Sequence, residues 1–270
     1  MSATSARKKI ALIGCGNLGK IIAEGIINDL REDYVLAGVS ARRRESAADI
    51  CALEPGCVFC EDIGQVMALR PDIVVEAATG AVLKQITLPV LEGGADLIVL
   101  SAGAFADEAF FALASRRARE LGRRIHIASG AIGGFDVMQS AMACGSVSAR
   151  ILNIKNPAAL PENDRINPRE RTVLFSGNAV EAIDRFPKNV NVAVALSLAT
   201  VGPRNTQVEV ISDPSLKRNT HRIELEGDFG TAVIEVASTP TKHNPASSQL
   251  AAYSVLAKLA NMASPVSFIG

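Results

Sequence analysis

The chain has no net charge, since 28 Lys and Arg balance 28 Asp and Glu over 270 residues. With no one-signed field to attract nucleic acid or an anionic membrane surface, the expected ligand is a small molecule. No stretch reaches the roughly 18 consecutive apolar residues of a membrane span. The opening MSATSARKK contains no apolar segment of the kind a secretory signal needs. These absences point to a cytoplasmic protein with neither membrane nor nucleic-acid partners. The five cysteines are an odd number and argue for reduced thiols rather than a disulfide framework. Cys57 and Cys60 have a metal-like spacing, but no second pair and no nearby histidine accompanies them, so no metal is expected. Internal repeats are lacking as well. Apolar residues, by contrast, make up 48% of the chain, enough for the cores of two domains.

The most informative stretch lies near the start. An uncharged run, Ile10-Ala11-Leu12-Ile13, enters Gly14-Cys15-Gly16-Asn17-Leu18-Gly19, and apolar residues then recur at helical spacing through Ile21, Ile22, Ile26 and Ile27. That is strand, tight turn and helix, the setting in which G-x-G-x-x-G binds a dinucleotide. Gly14 makes the turn, Gly16 lets backbone approach a pyrophosphate, and Gly19 lets helix and strand pack closely. The helix N-terminus, through Asn17 and Leu18, then offers its free N–H groups to the phosphates.

The end of the next strand, 34–39, bears on the cofactor. An NAD-binding chain usually places Asp or Glu there to hold the adenosine ribose. Here Ser40 is followed by Arg42, Arg43 and Arg44. A hydroxyl and guanidinium groups suit a 2′-phosphate, so NADP, or dual use of NADP and NAD, is expected. Further strands are expected at 58–60, 72–77, 96–100 and 124–128, with helices at 81–91 and 107–121. Such alternation predicts an α/β fold, a Rossmann-type doubly wound parallel sheet covered on both faces. Ala78, Thr79, Ala102 and Gly103 follow two of its strands and should lie near the cofactor.

From Ser129-Gly130-Ala131-Ile132-Gly133-Gly134 onward the pattern changes. A helix at 135–144 precedes strands at 147–154, 172–176, 207–211, 221–226 and 231–236, predicting a largely antiparallel sheet in a C-terminal α+β domain. One face of that sheet is expected to be open or paired with another subunit. The polar stretch 156–171 is expected to be a mobile loop, and 247–261 an amphipathic helix packing back on the first domain. The expected division is 1–130, 131–244 and 245–270.

Polar residues converge at three places in this half. Lys188, Asn189 and Asn191 precede an apolar helix at 192–199, either as an anion site or as a capping arrangement with Asn189 as N-cap. His221 stands where Asn219-Thr220-His221 enters a strand. Thr241, Lys242 and His243 lie in a Pro-flanked segment that is either a surface loop or a receptor for carboxylates.

The glycine turn, Ser129-Gly130-Ala131-Ile132-Gly133-Gly134, Phe186-Pro187-Lys188-Asn189-Val190-Asn191 and Asn219-Thr220-His221 occur in this order and at these separations in the L-aspartate dehydrogenases, which the chain resembles over nearly its whole length. The resemblance implies a Rossmann domain, a sheet domain carrying the subunit interface, and a homodimer. It also implies that His221 is the active-site histidine and that Ala131 and Asn191 contact the nicotinamide side. One departure is the second strand, which ends in an acidic residue in many members but in Ser40 and arginines here.

The implied reaction is reversible oxidative deamination of L-aspartate to iminoaspartate, a precursor for NAD biosynthesis, or onward to oxaloacetate and ammonia. A histidine of ordinary pKa, about 6.5, suits its proton steps. Two carboxylates need charged or oriented donors, for which Lys188, Asn189, Thr241, Lys242 and His243 are the candidates. Two other readings compete: a related two-domain reductase of the homoserine dehydrogenase or dihydrodipicolinate reductase kind, and a non-catalytic NADP sensor. The first would share the glycine turn without needing Asn219-Thr220-His221, so the C-terminal half discriminates.

Overall fold

The computed structural model describes residues 6–160, 169–187, 190–241 and 244–268, the side chains of 240–247 excepted. Short apolar strands alternate with helices through the first half: β1 (Lys8–Ile13), α1 (Asn17–Asn28), β2 (Tyr34–Ser40), α2 (Glu45–Leu53), β3 (Val58–Cys60), α3 (Ile63–Ala68), β4 (Ile73–Glu76), α4 (Gly80–Glu92), β5 (Asp96–Val99), α5 (Glu108–Leu121) and β6 (Ile125–Ile127). The strands form one sheet in the order β3-β2-β1-β4-β5-β6, every pairing parallel. Ile10 to Leu12 and Val74 to Val75 are fully buried, as central strands covered on both faces must be. This is the Rossmann order, and its direction reverses between β1 and β4.

Two compact units are present. The first comprises the described residues up to Ala104, Glu108–Ala128 and Val255–Ser267; the second comprises Phe105–Asp107, those of Ser129–Ser254, and Phe268. The first unit thus takes in the C-terminal half of the last helix. There the Tyr34 hydroxyl donates to the Leu259 carbonyl at 2.8 Å. A Cβ on Gly25 would come within 2.3 Å of Leu256 Cδ1, so a larger residue in α1 at that position would require the Leu256 side chain to shift.

The second unit contains α6 (Phe135–Cys144), β7 (Val147–Lys155), β8 (Thr172–Asn178), α7 (Ala179–Arg185), α8 (Asn191–Ala199), β9 (Gln207–Ser212), β10 (Asn219–Gly227), β11 (Gly230–Ser238), the short pair β12 (Pro240–Thr241) and β13 (Asn244–Ser248), and the start of α9 (Gln249–Ala263). Its main sheet runs β11-β10-β7-β9-β8. Three pairings are antiparallel, and β7 with β9 is parallel. The sequence expectation contains no α7, whose start is fixed by a capping box: Glu181 N donates to Asn178 Oδ1 at 3.0 Å and Asn178 N to Glu181 Oε2 at 3.1 Å. Thr241 and Asn244 pair in a hairpin where a loop was expected.

Period-two alternation gives this sheet two unlike faces. Ala149, Ile151, Val208, Val210, Ile223 and Leu225 turn inward and pack with Met138, Ala182, Phe186, Val190 and Leu196 from the helical side. The opposite face carries a charge ladder across four strands. Arg150 contacts Glu209 at 2.7 Å and Glu224 at 3.2 Å, and Arg222 contacts Glu224 at 2.9 Å and Glu235 at 3.4 Å. The inward face becomes polar only at one end, where Asn153, Lys155, Ser212, Asn219 and His221 are all buried.

Candidate active site

In the first unit the predicted cofactor residues gather where the strand order reverses. Gly14, at φ +105°, leaves β1 in a conformation open to glycine, and its N–H donates to the Ser40 carbonyl at 2.8 Å. A Cβ on Gly14 would lie 2.5 Å from the Ala77 carbonyl oxygen, and one on Gly19 only 1.8 Å from the Gly14 oxygen. These two glycines are therefore required by the fold. Gly16 is not: among the described residues a Cβ there would meet nothing within 4 Å. Open space beside an exposed glycine at the start of α1, with no side-chain cap and no acidic residue in the first turn, is what a pyrophosphate needs. A dinucleotide therefore fits this turn, on the N–H groups of the α1 N-terminus formed by Asn17, Leu18 and Gly19.

Ser40 ends β2 beside the turn, and Arg42 and Arg43 are exposed just beyond it. Arg44 is directed elsewhere, its guanidinium 5.3 Å from the centre of the Phe59 ring. Thr79 accepts from Val82 N at 3.3 Å as the N-cap of α4, so its hydroxyl already serves the helix. Ala102 and Gly103 are buried in a single 3-10 turn after β5.

The two loops after β4 and β5 are tied by a residue that the sequence pattern passes over as the end of a strand. Glu76 is fully buried and accepts from Ala78 N at 2.7 Å, Ser101 N at 3.0 Å and the Ser101 hydroxyl at 2.8 Å. Burial pushes its carboxyl pKa up, and these hydrogen bonds act against that shift.

In the second unit, His221 is an interior residue of β10, contrary to the expectation of a place at the strand's entrance, and is 5% exposed. It pairs across the sheet with Asn153 of β7, and its Nδ1 lies 2.8 Å from Asn153 Oδ1. Because a carbonyl oxygen only accepts, this contact places the proton on Nδ1 and leaves Nε2 as a lone-pair acceptor. The expected ordinary pKa is corrected as well. Burial, and next the charge of Lys155, push the His221 pKa down to about 3, so the free protein holds a neutral imidazole. Lys155 is 2% exposed, and burial lowers its pKa to about 8. Nothing near Lys155 in the chain marks it. Its place emerges only when β7 pairs with β9 and β10.

Ala131 is buried in the core of this unit. Its loop neighbour Gly130, at φ +65°, would place a Cβ 3.5 Å from Val192 Cγ1, so the Ser129–Gly134 loop lies against the start of α8, where Asn191 is the first residue. Val190, not Asn189, occupies the N-cap position of that helix. Of the residues expected to meet carboxylates, Thr241 is described in its backbone alone, and Lys188, Asn189, Lys242 and His243 lie outside the described residues.

The order of the first sheet and the fit of its glycine turn to a pyrophosphate place the chain in the class of two-unit proteins with a dinucleotide-binding Rossmann sheet. Comparison with known proteins narrows the class. Residues 14–128 match the family described as homoserine dehydrogenase, NAD binding domain, and residues 136–262 match the one described as aspartate dehydrogenase, C-terminal. The chain is 35% identical to an L-aspartate dehydrogenase of Methanococcus maripaludis, covering 96% of this chain and 98% of that one. It is 37% identical to L-aspartate dehydrogenase 2 of Bordetella pertussis, covering 93% and 95%. The crystal structure of the Thermotoga maritima aspartate dehydrogenase superposes with a TM-score of 0.78 at 27% identity, covering 97% of this chain and all of that one. A dihydrodipicolinate reductase from Paenisporosarcina, at 11% identity and a TM-score of 0.52, shares the fold alone. The chain belongs to the L-aspartate dehydrogenase family.

Proposed function

We propose that the protein catalyses the reversible, nicotinamide-dependent oxidative deamination of L-aspartate to iminoaspartate, with His221 as the proton acceptor. The observation that carries this reading is the buried His221–Asn153 contact at 2.8 Å on the inward face of the second unit, beside Lys155. A bound nicotinamide dinucleotide would supply the hydride acceptor for Cα. The chain's residues do the rest. Nε2 of His221 takes a proton from the substrate ammonium, and the lone pair this frees forms the C=N bond as the Cα–H bond breaks, which gives the protonated imine. Asn153 holds the ring in the tautomer that leaves Nε2 unprotonated. A substrate with two carboxylates arriving beside Lys155 offsets the positive charge that, after burial, depresses the imidazole, and so raises its basicity at the moment it is needed. In the reverse direction the imidazolium returns the proton.

Ser40, Arg42 and Arg43 support use of NADP as well as NAD, through a hydroxyl and two exposed cations where a carboxylate would repel a 2′-phosphate. Ala131 and Asn191 belong on the nicotinamide side, and Thr241, Lys188, Asn189, Lys242 and His243 remain candidates for substrate carboxylates. Among the described residues no helix is long and apolar enough to cross a membrane. The same reading includes a homodimer in the cytoplasm that supplies iminoaspartate for NAD biosynthesis.

The test is the initial rate of nicotinamide reduction with L-aspartate, with NAD and NADP compared at matched concentrations and D-aspartate, glutamate and homoserine as controls. Turnover confined to L-aspartate is expected. Tight dinucleotide binding with no amino-acid oxidation would instead favour the NADP sensor, and oxidation of homoserine the related reductase.

A further inference from the structure

The inward face of the β7–β9 pair ends in a group of buried hydrogen-bond donors. Asn153 and Lys155 are two apart on β7 and therefore point to the same side. Ser212 is directly opposite Lys155 in the parallel register, on a strand roughly 4.8 Å away. Asn153 and Ser212 are both fully buried. Asn153 uses its oxygen on His221, and among the described residues neither its amide Nδ2 nor the Ser212 hydroxyl has a hydrogen-bond partner. A buried polar group without a partner loses its hydration for nothing in return, so such groups call for an explanation. Here the two unsatisfied atoms flank a buried ammonium group on one patch of sheet. A ligand that satisfies both of these atoms and also carries the charge to meet a neighbouring ammonium is a carboxylate, with two oxygens, about four lone pairs and a negative charge.

We infer that Asn153 Nδ2, Lys155 Nζ and Ser212 Oγ together receive one carboxylate of the dicarboxylate substrate, which makes Lys155 and Ser212 substrate-binding residues additional to those read from the sequence. The inference rests on the L-aspartate reading and deepens it. His221, joined to the same Asn153, then stands next to the bound amino acid. One asparagine thus serves both functions, with its oxygen on the catalytic ring and its amide nitrogen on the substrate. The lowered pKa of Lys155 agrees with a site that awaits an anion, because a bound carboxylate favours the ammonium form.

Succinate, a dicarboxylate without the amine, separates this inference from the catalytic one, since its binding to the enzyme–dinucleotide complex is read by calorimetry with no turnover. Succinate should bind the wild-type complex. Lys155→Met should weaken it by about 10–100-fold, the size of a lost charge-assisted hydrogen bond, with dinucleotide affinity and circular dichroism unchanged. Lys155→Arg should recover part of that loss, and Ser212→Ala, a variant with little structural risk, should weaken succinate several-fold. Wild-type succinate affinity in folded Lys155→Met, or no effect from Ser212→Ala, would overturn the inference. Absence of L-aspartate oxidation by the wild type, with succinate binding still sensitive to Lys155, would overturn the proposed reaction instead.

Discussion

His221 and Asn153, 68 positions apart in sequence, face each other across β10 and β7 with 2.8 Å between Nδ1 and Oδ1. The contact sets which ring nitrogen carries the proton, and hence which one is able to take another. His221→Ala should reduce kcat by about 10²–10⁴-fold, the usual contribution of a positioned acid–base group, while dinucleotide affinity stays near wild type. Asn153→Asp would put a carboxylate against Nδ1–H and raise the imidazole pKa. The acid limb of log kcat/KM against pH should accordingly move to higher pH. A limb that stays in place in Asn153→Asp would remove Asn153 from the proton step.

The buried cation makes stability depend on pH in a direction that is easily checked. Lys155 has a folded pKa of about 8 against an ordinary 10.5, so between those values the unfolded chain binds more protons than the folded one. Stability from this group therefore rises as pH increases from about 8 to 10.5, and its full cost is present below 8. Lys155→Met should stabilise the free enzyme at pH 7 by up to about 3 kcal/mol, and the gap should close by about pH 10.5. His221, at about 3 against 6.5, works at the other end. The unfolded chain binds the extra proton below 6.5, so stability from this group falls as pH drops from 6.5 toward 3. Urea titrations of wild type and both single variants across this range read the two effects separately.

Two glycines of the first turn, Gly19 and Gly16, should fail in different ways. Gly19→Ala would drive a methyl group to 1.8 Å from the Gly14 oxygen, and should cost several kcal/mol or prevent folding. Gly16→Ala enters open space. It should keep the wild-type Tm and weaken dinucleotide binding, because the added methyl occupies the approach of the pyrophosphate. A Gly16→Ala variant with full cofactor affinity would mean that the pyrophosphate lies elsewhere.

Cofactor choice should follow the end of β2. Ser40→Asp is expected to turn preference toward NAD, through repulsion of a 2′-phosphate and new hydrogen bonds to the ribose. Arg42→Ala and Arg43→Ala should each weaken NADP by about tenfold or less, as expected for exposed charge-assisted contacts, and leave NAD almost unchanged. The ratio of kcat/KM for the two cofactors measures this directly.

Sequence by itself determined the features whose cause is local. The turn at Gly14, Gly16 and Gly19 was legible because its pattern is contiguous and lies between a strand and a helix, and Gly19 answers to the Gly14 oxygen only five residues away; the Ala77 carbonyl that also confines Gly14 comes from the far side of the strand pairing. The alternation of β1 to β6 was legible because a strand buried on both faces must be apolar throughout, as 73–75 and 97–99 are. His221 could be named from its motif. Tertiary structure alone decided its chemistry. Whether an imidazole titrates near 6.5 or near 3 depends on burial and on the charge beside it, and that charge, Lys155, reaches it only through strand pairing over 66 positions of chain. Asn153 and Ser212 were silent for the same reason, since an Asn or Ser in an alternating strand reads as ordinary until its register puts it on the core face. Glu76 too reads as the polar end of a hydrophobic strand. Only the arrival of Ser101 from the loop after β5, 25 residues on, makes it a buried carboxylate holding two loops together.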